Sequence, residues 1–178
     1  MGDDVDLAAK IVPVSDYPKP GIIFRDITPL LADGPSLNKT IIELSNFFRP
    51  LQINAIAGIE ARGFILGAAV AYQLQIGFIP LRKPGKSPRD VYKMEYQLEY
   101  GSDELHVHKD LLNSTMRIGI IDDVLATGGT ALAALQLINL SGAQAVGFAA
   151  LLELDFLYGR KKISEKYPDL PLQTLVNI

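Results

Sequence analysis

The residues with the densest chemical content are Ile118-Gly119-Ile120-Ile121-Asp122-Asp123-Val124-Leu125-Ala126-Thr127-Gly128-Gly129-Thr130. An apolar strand runs straight into two carboxylates and then into a small, glycine-rich turn that opens a helix. Such a turn lets successive backbone N–H groups face one anion, and the helix N-terminus adds about half a positive charge. Thr127 and Thr130 supply hydroxyl donors. Residues 126–130 thus make a monophosphate cradle. Asp122 and Asp123, one step away, are placed to accept hydrogen bonds from sugar hydroxyls or to act near a metal. Two other patterns are weaker. Gly85-Lys86-Ser87 looks like the end of a P-loop, but Pro80 stands where the first glycine is required and no helical pattern follows. His106 and His108 share one face of an extended chain, and with no third ligand nearby they read as a solvated face.

The elements that must position the cradle follow from hydrophobic spacing. After Asp33-Gly34-Pro35-Ser36, apolar residues at Leu37, Ile41, Leu44 and Phe48 mark a helix that ends near Arg49-Pro50. Residues 53–59 read as a short buried strand, 63–75 as a helix and 78–81 as a strand. The pattern repeats with a strand over 116–121, a helix over 130–140 and a strand over 145–152. Two βαβ units predict an α/β fold, a doubly wound, mainly parallel sheet flanked by helices, with the site in loops at the strand C-termini. Between the units, 83–109 is polar, with Pro84-Gly85 and Pro88. Its later part alternates: Tyr96, Leu98 and Tyr100 on one face, Leu105 and Val107 returning, Gly101-Ser102 turning between them. That predicts a hairpin arm projecting beyond the sheet, of the length that lids and binding loops have.

Composition removes several alternatives. The 178 residues carry 17 Lys+Arg and 20 Asp+Glu, a net charge of −3. That suits one domain of residues 1–178 and argues against binding a polynucleotide, whose affinity comes from neutralising many phosphates. With no cysteine, disulfides, thiolate catalysis and Cys-ligated zinc are excluded. Met1-Gly2-Asp3-Asp4 is acidic where a signal peptide is basic, so a cytoplasmic location is expected. The uncharged stretches 63–81 and 124–152 are long enough to span a membrane, but glycine, proline, glutamine and threonine break them into helices feeding buried strands, so no membrane association is expected.

The segment Ile118 to Thr130 resembles the signature of the type I phosphoribosyltransferases, four apolar residues, two acidic residues and a run ending in Thr-Gly-Gly-Thr. The resemblance extends, among members that act on adenine, through Pro20-Gly21-Ile22-Ile23-Phe24-Arg25-Asp26-Ile27-Thr28-Pro29, Glu60-Ala61-Arg62-Gly63-Phe64, Arg82-Lys83-Pro84-Gly85-Lys86, Leu98-Glu99-Tyr100-Gly101 and Gly159-Arg160-Lys161-Lys162. It implies transfer of a phosphoribosyl group from phosphoribosyl pyrophosphate to adenine, giving AMP and pyrophosphate. A homodimer is implied too, with Mg2+ held by substrate and water rather than directly by protein. In this resemblance Ala126, Thr127, Gly128, Gly129 and Thr130 hold the 5′-phosphate, and Asp122 and Asp123 hold the ribose hydroxyls. Arg62, Arg82, Lys83 and Lys86 match the pyrophosphate ligands, with Arg82 offered across the dimer. Pro84 stands where some members carry a further basic residue. Residues 1–34 correspond to a small hood and N-terminal helix. There, backbone groups of Ile23 and Arg25 read the purine edge while Phe24 and Val124 close on its faces. Within a mobile arm, 83–109, Glu99 matches the residue that handles the purine proton, and Tyr100 belongs to arm closure. Two alternatives stay open: another nucleobase (xanthine, hypoxanthine or orotate), or a non-enzymatic sensor of phosphoribosyl pyrophosphate that binds nucleic acid elsewhere.

Overall fold

The computed structural model describes residues 5–97 and 101–178. An antiparallel ribbon, β1 (Val12–Ser15) and β2 (Ile23–Asp26), precedes α1 (Thr28–Ala32) and α2 (Gly34–Phe48). α2 starts at the Gly34-Pro35 turn. Asp33 caps it by accepting from the Ser36 N–H at 3.0 Å, and Pro35 sits in the first turn, where a missing N–H costs nothing. The chain continues through β3 (Ala55–Ile59), α3 (Arg62–Leu74), β4 (Gly77–Leu81), the hairpin β5 (Val91–Gln97) and β6 (Ser102–His108), and β7 (Arg117–Leu125). It ends with α4 (Gly129–Leu140), β8 (Gln144–Glu153), α5 (Gly159–Lys166) and β9 (Leu172–Asn177). The two uncharged stretches are thus divided among α3, β4, the end of β7, α4 and β8. No helix of the described residues is long and apolar enough to cross a membrane.

Five parallel strands form the sheet in the order β4-β3-β7-β8-β9. From β3 the first crossover moves outward to β4, and from β7 the later ones move the other way. The reversal point, where open α/β sheets leave a crevice for ligands, therefore lies between the C-terminal ends of β3 and β7. Register sharpens this. β7 pairs with β3 only up to Gly58↔Ile121, but with β8 as far as Leu125↔Glu153. Its last four residues thus lack a β3 partner on the crevice side. The sequence pattern ends this strand at Ile121. The longer β8 ladder carries it on, so Asp122 and Asp123 lie inside the strand.

The sheet buries both faces. Ile118, Ile120 and Phe148 pack with Leu135 and Ile138 of α4, while Ile56, Ile121 and Leu151 pack with Leu44 and Phe48 of α2 and Leu66 and Val70 of α3. Each such fully buried Leu, Ile or Phe contributes about 1.5–3 kcal/mol.

The hairpin forms, with Gln97 opposite Ser102 and Tyr96 opposite Asp103, so Ser102 belongs to β6 rather than to the turn; nor does the hairpin simply project. Tyr96, Leu105 and Val107 join the core beside α4. His106 bridges β6 to Arg82, the two residues exchanging backbone hydrogen bonds of 2.8 Å each way. The solvated reading of the histidine face is corrected accordingly. His106 is buried and its ring contacts Glu104, while His108 is half-buried with Nδ1 facing Arg89 at 2.8 Å.

Candidate active site

The crevice is organised around three carboxylates. Asp122 and Asp123 are buried. The Asp123 N–H donates to Asp122 Oδ1 at 2.8 Å, and Arg62 closes on Asp123 Oδ2 at 2.8 Å. Arg62 is the first residue of α3, so the short β3–α3 turn delivers it across the switch point onto the bare edge of β7. Burial, then the charge of Asp123, pushes the Asp122 carboxyl well above the ordinary carboxylate range, against the pull of the Asp123 N–H and of Arg62. Of these two adjacent buried acids Asp123 carries the guanidinium and Asp122 only the Asp123 N–H, so the pair is short of one positive or hydrogen-donating partner. A sugar diol or a cation would supply it.

The third carboxylate, Glu60, opens the segment Glu60-Ala61-Arg62-Gly63-Phe64, and its spacing assigns it no role. Its side chain is 8% exposed, and it gathers the basic loop: Arg82 donates through Nε at 3.1 Å, the Lys83 backbone N–H at 2.9 Å, and Lys86 through Nζ. Burial alone would raise its pKa. Lys86, the Lys83 N–H and Arg82 outweigh that and hold the carboxyl down at about 2. The Lys83 ammonium turns elsewhere, to the Tyr96 hydroxyl and Asp103 of the hairpin. The four expected cations therefore stand at the ends of β3 and β4. Arg82 is held by Glu60 of its own chain, with its guanidinium over the Phe64 ring at 5.8 Å. Neither Glu60 nor Asp103 could be found from local spacing, because each acts on residues twenty or more positions away.

The loop 126–128 links β7 to α4. Gly128 is the N-cap with φ +79°, a left-handed conformation that L side chains resist, and it offers no side chain to cap the helix. The first N–H groups of α4 are thereby left without a side-chain cap, facing the end of the crevice. Gln97 of the hairpin lies against Gly129, whose added Cβ would stand 3.1 Å from the Gln97 carbonyl. Glu99 and Tyr100 lie outside the described residues.

Beside Arg62 opens a cleft of about 340 Å³ lined by Val14, Tyr17, Phe24, Asp26, Thr28 and Arg62. The Arg62 guanidinium lies 4.8 Å from the Phe24 ring centroid, and Tyr17 meets the same ring edge-on at 5.2 Å. One arginine thus touches both the acid pair and the aromatic wall. Opposite Arg25 in the ribbon stands Pro13, which has no N–H to give. That fits the non-hydrogen-bonded position of an antiparallel ladder, which turns the backbone groups of Arg25, and of Ile23 two residues away, to the open edge of β2. Ile23 is exposed, and Val124 is half-buried against the α2 and α3 side of the core.

A model of the phosphoribosyl transferase domain matches residues 31–173. The chain belongs to the phosphoribosyltransferase family. As a phosphoribosyltransferase it is 49% identical over 172 residues to the adenine phosphoribosyltransferase of Cyanothece sp., a match covering 97% of this chain and 99% of the relative. The crystal structure of adenine phosphoribosyltransferase from Thermoanaerobacter pseudethanolicus superposes with a TM-score of 0.91 at 41% identity, over 97% of this chain and 98% of that one. The enzyme from Giardia lamblia, complexed with 9-deazaadenine, gives a TM-score of 0.92 at 36% identity over 97% and 96%. The fold is that of the type I phosphoribosyltransferases.

Proposed function

We propose that this phosphoribosyltransferase moves the 5-phosphoribosyl group of phosphoribosyl pyrophosphate onto adenine, giving AMP and pyrophosphate, a purine-salvage reaction. The observation that carries this reading is the meeting, at one switch point, of an uncapped glycine-rich loop, a buried acid pair and a cluster of cations. The uncapped loop 126–130 takes the 5′-phosphate. Asp122 and Asp123 accept from the ribose hydroxyls. Arg62, Arg82, Lys83 and Lys86 receive the pyrophosphate, for which guanidinium forks and ammonium groups suit a dense anion. Adenine occupies the cleft of Phe24, its edge read by the backbone of Ile23 and Arg25 and its far face closed by Val124. The full-length relatives named for adenine support that choice of base.

The bond from C1 to the pyrophosphate oxygen breaks with its electron pair leaving on pyrophosphate. Positive charge builds on C1 and the ring oxygen, N9 of adenine adds, and the N9 proton is lost to a base, the role proposed for Glu99. Closure of the arm 83–109, with Tyr100, excludes water that would otherwise hydrolyse the sugar. Asp122 and Asp123 are hard oxygen acceptors that suit a site where Mg2+ comes in with the substrate, but two carboxylates are no cage, and the ion would be held by substrate oxygens and water rather than directly by the protein. When bound, the ion neutralises the leaving group. A cytoplasmic homodimer that binds neither nucleic acid nor membrane completes the proposal.

The test is stoichiometry. With labelled adenine, phosphoribosyl pyrophosphate and magnesium, label should pass into AMP with one pyrophosphate released for each AMP formed. Pyrophosphate released without AMP would contradict the transfer and point to hydrolysis.

A further inference from the structure

Glu153 ends β8 as a buried carboxylate, its side chain 4% exposed, behind the phosphate loop rather than in the crevice. Arg160, in the first turn of α5, grips it with Nε shared between the two carboxylate oxygens at 3.1 and 3.0 Å and with Nη2 on Oε2. The same guanidinium donates to Thr174 Oγ1 at 2.7 Å and to the Leu172 carbonyl at 3.3 Å, and Thr174 donates to Glu153 at 2.8 Å. α5 has little else to hold it, being eight residues long with only Gly159 and Ile163 buried. So short a helix owes its place to such tertiary contacts.

Gly159, next to the clamp, is where α5 meets the loop. A Cβ on Gly159 would stand 2.2 Å from the Ala126 carbonyl oxygen and 3.0 Å from the Gly128 nitrogen, and a Cβ on Gly128 would stand 2.9 Å from the Gly159 oxygen. Backbone lies on backbone, with no flexible side chain to yield. How the loop's amides are aimed therefore depends on where α5 sits, and α5 sits where Arg160 holds it.

We propose that Glu153 and Arg160 are positioning residues for the 5′-phosphate: the clamp presses Gly159 against the back of loop 126–130 and fixes the N–H groups that face the ligand. This rests on the phosphoribosyl transfer reading. The pair is partly solvated, Glu153 being buried and the Arg160 side chain 40% exposed, so it adds little net stability, but the bidentate fork fixes geometry, and a misplacement of about 1 Å can cost about a hundredfold.

The test uses Arg160→Lys, which keeps the charge and loses the fork. By calorimetry, ribose 5-phosphate should bind about ten- to a hundredfold more weakly than to wild type. Inorganic pyrophosphate with magnesium, received at the ends of β3 and β4, should bind unchanged. In the assay, the KM for phosphoribosyl pyrophosphate should rise in parallel while kcat changes by less than about threefold. Ribose 5-phosphate affinity equal to wild type overturns the proposal. So does equal weakening of both ligands, the signature of a clamp that merely supports the fold. Gly159→Ala, which leaves the clamp intact, should give the same split and serves where Arg160→Lys does not fold; an unaltered ribose 5-phosphate affinity there also overturns it. Absence of AMP formation by the wild type would fail the transfer reading instead, while the two binding affinities would still decide the clamp.

Discussion

Arg62→Ala is expected to lower kcat/KM for phosphoribosyl pyrophosphate by about a thousandfold and to destabilise the fold by about 2 kcal/mol. The two losses have separate origins. The catalytic one is the guanidinium proposed to take charge from the departing pyrophosphate. The structural one is the partner of Asp123: without it, two adjacent carboxylates stay buried with no cation between them. Breaking a fully buried pair costs about 3–5 kcal/mol. The smaller figure applies because the Arg62 side chain is 34% exposed, so the pair is partly solvated. The Phe24 wall also loses its cation. Steady-state kinetics and urea unfolding check both losses. A kcat/KM within about tenfold of wild type would remove Arg62 from the reaction.

Asp122→Asn should separate stability from activity in the opposite direction, making the ligand-free protein more stable and a much poorer enzyme. Burial and Asp123 raise the Asp122 pKa above its ordinary value of 3.8. Between that value and the raised one, the folded chain keeps a proton that the unfolded chain has lost. Stability then falls as pH rises through the window, and above it the full penalty is present. Asparagine carries no charge to bury and keeps the Oδ1 that accepts from the Asp123 N–H. The variant should be more stable than wild type at pH 7, and the gain should vanish below about pH 4. Activity should fall about a hundred- to a thousandfold, because the carboxylate proposed to accept from the ribose hydroxyl is gone. Urea unfolding at pH 7 and at pH 4, beside kinetics, tests both halves. A variant less stable than wild type at pH 7 would refute the buried, uncompensated acid.

The two predictions also mark where sequence reading reaches its limit. The βαβ units, the Gly34-Pro35 helix start, the hairpin and the glycine-rich turn that opens α4 were all legible, because periodicity and turn chemistry are local. What Asp122 and Asp123 experience was not. Their burial comes from β8 carrying the ladder past the point where β3 stops, a matter of register between strands far apart in the chain. Glu60 looked like one acid in a matching segment, and only the fold brings Arg82, Lys83 and Lys86 onto it. His106 alternates like a solvent-facing residue yet is buried, since Arg82 adds its backbone to β6. Gly159 and Arg160 were visible as a matching block without a role, which appears only when α5 is seen against the back of the loop. The proposed base site had the faintest signal, because backbone groups read the same whatever side chain they carry.

The most direct measurement is pyrophosphate release from phosphoribosyl pyrophosphate and magnesium with adenine, hypoxanthine, guanine, xanthine or orotate in turn, beside a control with no base. Release with adenine alone is the predicted result. Release with another base in place of adenine would contradict the roles of Ile23, Phe24, Arg25 and Val124 while sparing the phosphate site, and no release with any base would contradict phosphoribosyl transfer itself.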